Sequence, residues 1–287
     1  MSTRLQALVI EYRSSHRTIA CVKALLGQGV PVAQVVDNSA DNGVTRALLV
    51  EAFADDDRVR ILDAGANLGF AAGVNLGLRH RVSDRVLLIN NDALPGGEVI
   101  SALDAALDAA PDVCIAFPSL MHAGRPLGRV YYHRWLALLT SRRWPGTFEV
   151  PRGCCMLVAL DRMSVSSLFD EQFFMYGEEI ALGWHLHRLG AHISHVGAVW
   201  VEHEGSATAM RGSPFYEERT ALAHLLLSNV LAERVSEQRA LAVVRVSMLV
   251  LRALVRSLRQ RSLLPLYALE RAWGIARGTT SGTPPPS

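Results

Sequence analysis

Short apolar runs that end in polar residues and alternate with helical stretches constrain this chain most. Residues 5–10, 32–37, 59–62 and 85–89 each read as a strand, while 17–26 and 71–79 carry the amphipathic spacing of helices. Strands alternating with helices predict an α/β fold with a mostly parallel central sheet covered on both faces. In such sheets ligands gather at the carboxyl ends of the strands, where Asp37 and Asp92 both fall. Residues 148–160 read as one further extended stretch, 178–189 as a helix, and 192–203 as a short strand pair. Beyond Pro214 only helices are expected.

Several residues at these positions have chemistry to offer. Asp92 follows the strand Val86-Leu87-Leu88-Ile89, and its carboxylate could hold a hard cation, with Asn90 and Asn91 as neutral oxygen donors. The same Asn-Asp run followed by Pro95 is also good turn chemistry. Asp37 could accept hydrogen bonds from a base or a ribose, or simply close an Asx-turn. The run 65–75 fits a dinucleotide fingerprint poorly, because its glycines are spaced four and four and it does not follow the first strand. That spacing leaves a nicotinamide-dependent oxidoreductase with little support; the run reads better as a tight bend opening a helix. Residues 169–179 bring Phe169, Phe173, Phe174, Met175 and Tyr176 up to Gly177, then Glu178 and Glu179. Acids there suit a helix N-terminus, and adjacent helical positions point about 100° apart, so one carboxylate can face a cleft. Beside an apolar wall it would be a suitable general base. His203, at the end of a strand-like run, could complete a metal site with Asp92 or be a structural histidine. His185, His187, His192 and His195 have no ligand spacing with it.

In this order the motifs resemble family 2 of the inverting glycosyltransferases, in particular its bacterial rhamnosyltransferase-like branch. The resemblance is carried by Val-Val-Asp-Asn-Ser at 35–39, the Asn67–Gly77 run, Leu-Leu-Ile-Asn-Asn-Asp at 87–92, the run 169–179, and His203-Glu204-Gly205-Ser206. It implies a GT-A catalytic domain over 1–213; the helical pattern beyond it reads as an extension over 214–277, and the Gly-, Ser-, Thr- and Pro-rich 278–287 as a disordered tail. It also implies a nucleotide-sugar donor, dTDP- or UDP-linked with dTDP-rhamnose foremost, and a glycan or lipid-linked acceptor. Asp37, Asn67, Gly69, Asn75 and Asn91 would surround the donor nucleotide. Asp92 and His203 would hold Mg2+ or Mn2+, and Glu179, with Glu178 beside it, would be the catalytic base. The chain departs from the family at Glu11-Tyr12-Arg13, where Asn-Tyr-Asn is usual, at Glu179 where Asp is common, at Ala181 in place of Asp, and at Arg219-Thr220 in place of Arg-Asn. A noncatalytic sugar-nucleotide or glycan-binding scaffold is the alternative, disfavoured because Asp92, Glu179 and His203 are all retained.

A net charge of +2 is too small to imply nucleic-acid binding. Cys21, Cys114, Cys154 and Cys155 lack metal-binding spacing and read as buried thiols, which fits a reducing cytoplasm. The first residues lack a signal-peptide pattern, and no uncharged run approaches the roughly 20 residues of a bilayer span. Arginines punctuating the apolar segment 241–261 are expected either to meet anionic lipid or to pack, against the catalytic domain or a second copy.

Overall fold

The computed structural model describes residues 4–122, 124–163, 165–203, 212–278 and 282. In chain order the elements are β1 (Gln6–Glu11), α1 (Ser15–Gly27), β2 (Ala33–Asp37), α2 (Val44–Ala52), β3 (Val59–Asp63), α3 (Phe70–Arg79), β4 (Arg85–Asn90), β5 (Ala93–Pro95) and α4 (Val99–Ala109). Next come β6 (Val113–His122), β7 (Arg125–Leu127), β8 (Val130–His133), β9 (Leu138–Thr140), β10 (Thr147–Val150), β11 (Cys155–Ala159), α5 (Glu178–Leu189) and β12 (His192–His203). Three helices follow, α6 (Pro214–Val230), α7 (Val235–Gln260) and α8 (Leu264–Ala276).

Strand β4 shows why the apolar runs fold as they do. Leu87 and Ile89 pack with Cys21, Val22 and Leu25 of α1 and Leu103 and Leu107 of α4. Val86 and Leu88, pointing the other way, pack with Ala71, Val74 and Leu78 of α3 and Leu182 and Leu186 of α5. A strand covered on both faces needs apolar residues at every position. The principal sheet runs β3-β2-β1-β4-β11-β6-β12-β5, with β7 paired to β6. Its β3-β2-β1-β4 half is parallel, as expected, but β11 runs antiparallel to both β4 and β6, which makes the whole sheet mixed. A smaller sheet, β10-β8-β9, shares a third core with α5 and α6 through Tyr132, Phe148, Trp184 and Leu227.

Two expectations need correction. Residues 148–160 form two strands, because Pro151, Arg152 and Gly153 break the run and let β11 turn back into the large sheet. Residues 192–203 form one strand along β6, with its register interrupted between Val196 and Trp200, where Gly197 sits. A bulge of this kind bends a strand without ending it. The arginines of α7 do not all face outward. Arg245, Arg252 and Arg256 turn into the protein. Arg245, with no exposed surface, donates to Tyr132 Oη, to Arg134 O at 2.7 Å and to His224 O at 3.3 Å.

Beyond Pro214 the structure is helical as expected. Ser213 caps α6 by accepting from Tyr216 N at 3.2 Å, and Pro214 occupies the first turn, where its missing N–H costs nothing. All four cysteines are buried and free. Glu204, Gly205 and Ser206 lie outside the described residues, as does the tail beyond Gly278 apart from residue 282.

Candidate active site

The carboxyl ends of β1, β2 and β4 open on one cleft of about 250 Å3. Asn90, Asn91 and Asp92 line its floor, Asn38, Asn67, Gly69 and Phe70 one wall, and Phe174, Met175, Tyr176, Glu178 and Glu179 the other, with His203 and Cys154 between. Asp92 and His203 meet through pairing distant in sequence. Strand β12 runs antiparallel to β5 with His203 opposite Ala93, next to Asp92. His203 Nε2 thereby lies 3.2 Å from Asp92 Oδ1, and only 7% of the Asp92 side chain is exposed. That imidazole nitrogen is buried and makes no hydrogen bond, and neither does the buried Asn90 Oδ1. The Asp92 carboxylate, the His203 imidazole nitrogen and the Asn90 amide oxygen, gathered on one cleft, are a donor set that suits a hard divalent cation. No group of three or more His, Cys, Asp or Glu side chains converges as a ligand set among the described residues. A cation here would therefore need oxygens from the ligand as well.

The glycine bend is fixed by what it touches. Gly69 has φ +81°, and Phe70 N donates to Phe174 O at 2.7 Å, drawing the bend against the aromatic run. A β-carbon on Gly69 would stand 2.7 Å from Phe174 Cδ2, so both the conformation and the clearance demand glycine. Asn38 ties the end of β2 to the same bend, donating to Gly69 O at 2.8 Å. Across the cleft Tyr176 adopts φ +67°, a strained conformation for a side-chain-bearing residue that costs on the order of 1–3 kcal/mol. The turn it makes with Gly177 starts α5 with Glu178 and Glu179 facing inward.

These two glutamates share a hydrogen bond between their carboxyl groups. Burial raises the Glu178 carboxyl well above its ordinary range, and the charge of Glu179 raises it further. Burial also raises Glu179, but backbone N–H, a hydrogen bond from Glu178 and the Arg152 guanidinium oppose the shift. The rise is therefore favoured at Glu178, and Glu179 is the carboxyl better able to carry charge beside the cleft. Glu178 is 3% exposed, whereas Glu179 is partly open to the cavity. Arg152 is itself pinned by the Gly128 carbonyl, to which it donates at 2.9 and 3.1 Å. The Glu179 carboxylate lies directly over Gly153, where a β-carbon would stand 2.7 Å from its Cγ and 2.9 Å from its Cδ.

Of the sequence candidates, Asn67, Gly69, Asn91, Asp92, Glu178, Glu179 and His203 come together on this cleft. Asn91 is held there by donating to Glu11 Oε2 at 3.2 Å and Thr18 Oγ1 at 3.1 Å. Asp37 and Asn75 do not line it. Asp37 Oδ1 accepts from Ser39 N at 2.9 Å, closing the Asx-turn. Asn75 clamps the run 169–179, donating to Phe169 O at 2.7 Å and accepting from Phe169 N at 3.1 Å. Arg152 and Gly153 were not singled out by sequence. The available signal was the Pro-Arg-Gly break inside an otherwise apolar stretch.

Known proteins show the fold and the family. The chain is 23% identical over 233 residues to the low-salt glycan biosynthesis hexosyltransferase Agl10 of Haloferax volcanii, a match covering 74% of this chain and 71% of that one. It is 29% identical over 191 residues to the N-acetylglucosaminyl-diphospho-decaprenol L-rhamnosyltransferase of Mycobacterium tuberculosis, covering 53% of this chain and 60% of that one. In structure it resembles the mannosyltransferase PcManGT of Pyrobaculum calidifontis, solved with GDP-Man and Mn2+. There the TM-score is 0.57 at 14% identity, over 96% of this chain and 84% of that one. The mixed sheet flanked by helices is the GT-A fold. With residues 8–167 matching the model of glycosyl transferase family 2, the chain belongs to that family and is a glycosyltransferase.

Proposed function

We propose that this glycosyltransferase is an inverting, metal-dependent enzyme that uses Glu179 as its base. The observation that carries the reading is one cleft holding two unlike halves. On one side are Asp92, His203 and Asn90; on the other is the Glu179 carboxyl, beside the more deeply buried Glu178. Asp92 and His203 would hold Mg2+ or Mn2+, and that ion would supply positive charge against a leaving diphosphate. Glu179 removes the proton from an acceptor hydroxyl as its oxygen attacks the anomeric carbon. The bond from that carbon to the nucleoside diphosphate breaks on the opposite face, which inverts the centre. Asn67, Gly69 and Asn91 form the donor side of the cleft, and Asp37 closes the turn behind it toward the base. Asn75 would contribute by fixing the Phe169 run against α3.

A deoxysugar donor, dTDP-rhamnose foremost, is supported by the L-rhamnosyltransferase relative, with UDP-linked donors as the alternative. That relative is named for an N-acetylglucosaminyl-diphospho-decaprenol acceptor, which supports a lipid-linked acceptor here and a working position at the inner face of a cytoplasmic membrane. Transfer from nucleotide sugars, screened with and without Mn2+, tests the whole. Glu179→Gln is expected to lose about 10²–10⁴-fold in turnover with donor affinity unchanged. Asp92→Ala is expected to abolish metal-dependent donor binding. Normal turnover in the first variant, or metal-stimulated binding in the second, would refute the assignment concerned.

A further inference from the structure

Helix α7 turns three of its arginines inward and six of its apolar residues outward. Arg245, Arg252 and Arg256 are spaced seven and four, which stacks them on one helical face. Arg252 bonds His224 Nε2 at 3.0 Å and the Ala137 carbonyl, and Arg256 pairs with Glu217. On the opposite face stand Val243, Val250, Leu251, Leu254, Val255 and Leu258, each between 38% and 79% exposed. This stripe runs for about 22 Å along the helix without a charge. Leu263, just before α8, and Tyr267 and Trp273 on it are also exposed. Single exposed apolar residues are ordinary, whereas a continuous band of them marks an interaction surface.

What surrounds the stripe selects its occupant. From residue 234 to 278 the exposed ionic side chains are Arg234, Arg239, Arg259, Arg261 and Arg277, against Glu270 alone. Arg239 stands at one end of the stripe, Arg259 and Arg261 at the other. If two copies paired antiparallel across it, Arg239 of each would face the Arg259–Arg261 end of the other. If they paired parallel, each arginine would face its own counterpart. Either arrangement sets like charges together, which is costly. Lipid phosphates reverse that sign. We propose that the outward face of α7 docks on the surface of an anionic bilayer, its stripe among the upper acyl chains and its end arginines on the headgroup phosphates. No described helix is long and apolar enough to cross the membrane, so the contact is made in the plane of the interface.

Docking of this kind is independent of which sugar is moved. A chain that bound vesicles but transferred nothing would refute the proposed reaction and leave this surface standing. The test is co-sedimentation of the full chain with phosphatidylcholine vesicles, with and without phosphatidylglycerol. Binding to the anionic vesicles alone, weakening as salt rises, is expected. Arg259→Gln and Arg261→Gln should each weaken it about fivefold. Leu254→Glu with Leu258→Glu should remove it while the melting temperature holds, since both positions are exposed. Absence of wild-type binding, or binding unchanged in the double leucine variant, would overturn the proposal. So would a vesicle-indifferent dimer that the same variant dissociates.

Discussion

The seating of Glu179 over Gly153 makes a one-atom perturbation informative. In Gly153→Ala the new methyl carbon would stand 2.7 Å from Glu179 Cγ and 2.9 Å from Cδ, with Oε1 nearer still. Carbon atoms in contact settle at roughly 3.5–4.0 Å, so the glutamate must retreat by nearly 1 Å. Backbone strain does not confuse the outcome, because Gly153 is not among the residues with positive φ. A misplacement of about 1 Å at a reacting group costs on the order of 10²-fold in rate. Turnover of Gly153→Ala should therefore fall about 100-fold with donor affinity preserved, because Asp92 and His203 lie elsewhere, in the β4–β5 turn and at the end of β12. The assay is initial-rate kinetics beside donor binding by calorimetry, with the melting temperature as control. Overpacking of this sort costs about 1–3 kcal/mol, so some loss of melting temperature is expected and does not count against the reasoning. Gly27→Ala is the matched control, since a β-carbon there meets nothing within 4 Å. Wild-type turnover in folded Gly153→Ala would show that Glu179 either is not the base or is not positioned by this contact.

Two further predictions concern pH. Glu179 must be ionised to accept a proton, and burial raises its pKa, so activity should fall as pH drops through a value above the ordinary range for glutamate. Arg152→Gln removes a nearby cation that opposes the rise and should move that acid limb to higher pH; an unmoved limb refutes the electrostatic role. His224 is buried beside Arg245 and Arg252, and burial first, then those cations, depress its pKa well below 6.5. Below pH 6.5 the unfolded chain takes up a proton that the folded chain refuses, so this residue's contribution to stability is lost as pH falls from about 6.5 toward the depressed value. Between pH 7 and 5.5 the wild type should lose about 1 kcal/mol more than His224→Gln in urea titrations, and parallel losses would refute it. The comparison must be differential, because the raised carboxyls of Glu11, Glu178 and Glu179 act in the opposite sense.

The sequence exposed those parts of the fold whose signals are local. Strands β1, β2 and β4 are buried on both faces, so each reads as a largely apolar run, broken by Gln6 in β1 and Gln34 in β2, that ends where the cleft begins. Helix α5 announces itself at Gly177 and its two acids. The middle of the chain did not, because β7 and β9 are three residues each and β7 is wholly exposed, leaving no periodicity to read. The Asp92–His203 contact depends on β12 pairing with β5, and only the folded sheet supplies that register. The inward arginines of α7 are a different matter. Their spacing of seven and four places them on the face of Leu241, Leu249 and Ala253, a pattern present in the sequence but visible only when the segment is laid out as a helix.

Two adjacent glutamates at one helix start also answer why an enzyme would use Glu where a shorter acid would serve. Two carboxyls this close cannot both ionise in a buried site, so one keeps a proton and donates it to the other. The more deeply buried Glu178 is the better holder of the neutral form, and its Oε2, buried without a hydrogen bond, would be intolerable on a charged group. Glu179 gains the hydrogen bond and the field of Arg152, so its charge survives burial while its basicity stays raised. The extra methylene carries that charge from the helix across to Gly153, where the absence of a side chain leaves room for it. Glu178→Gln, which still offers a donor, should therefore keep far more activity than Glu178→Leu, which offers none. Equal loss in the two would mean that Glu178 acts by filling space and not through its proton.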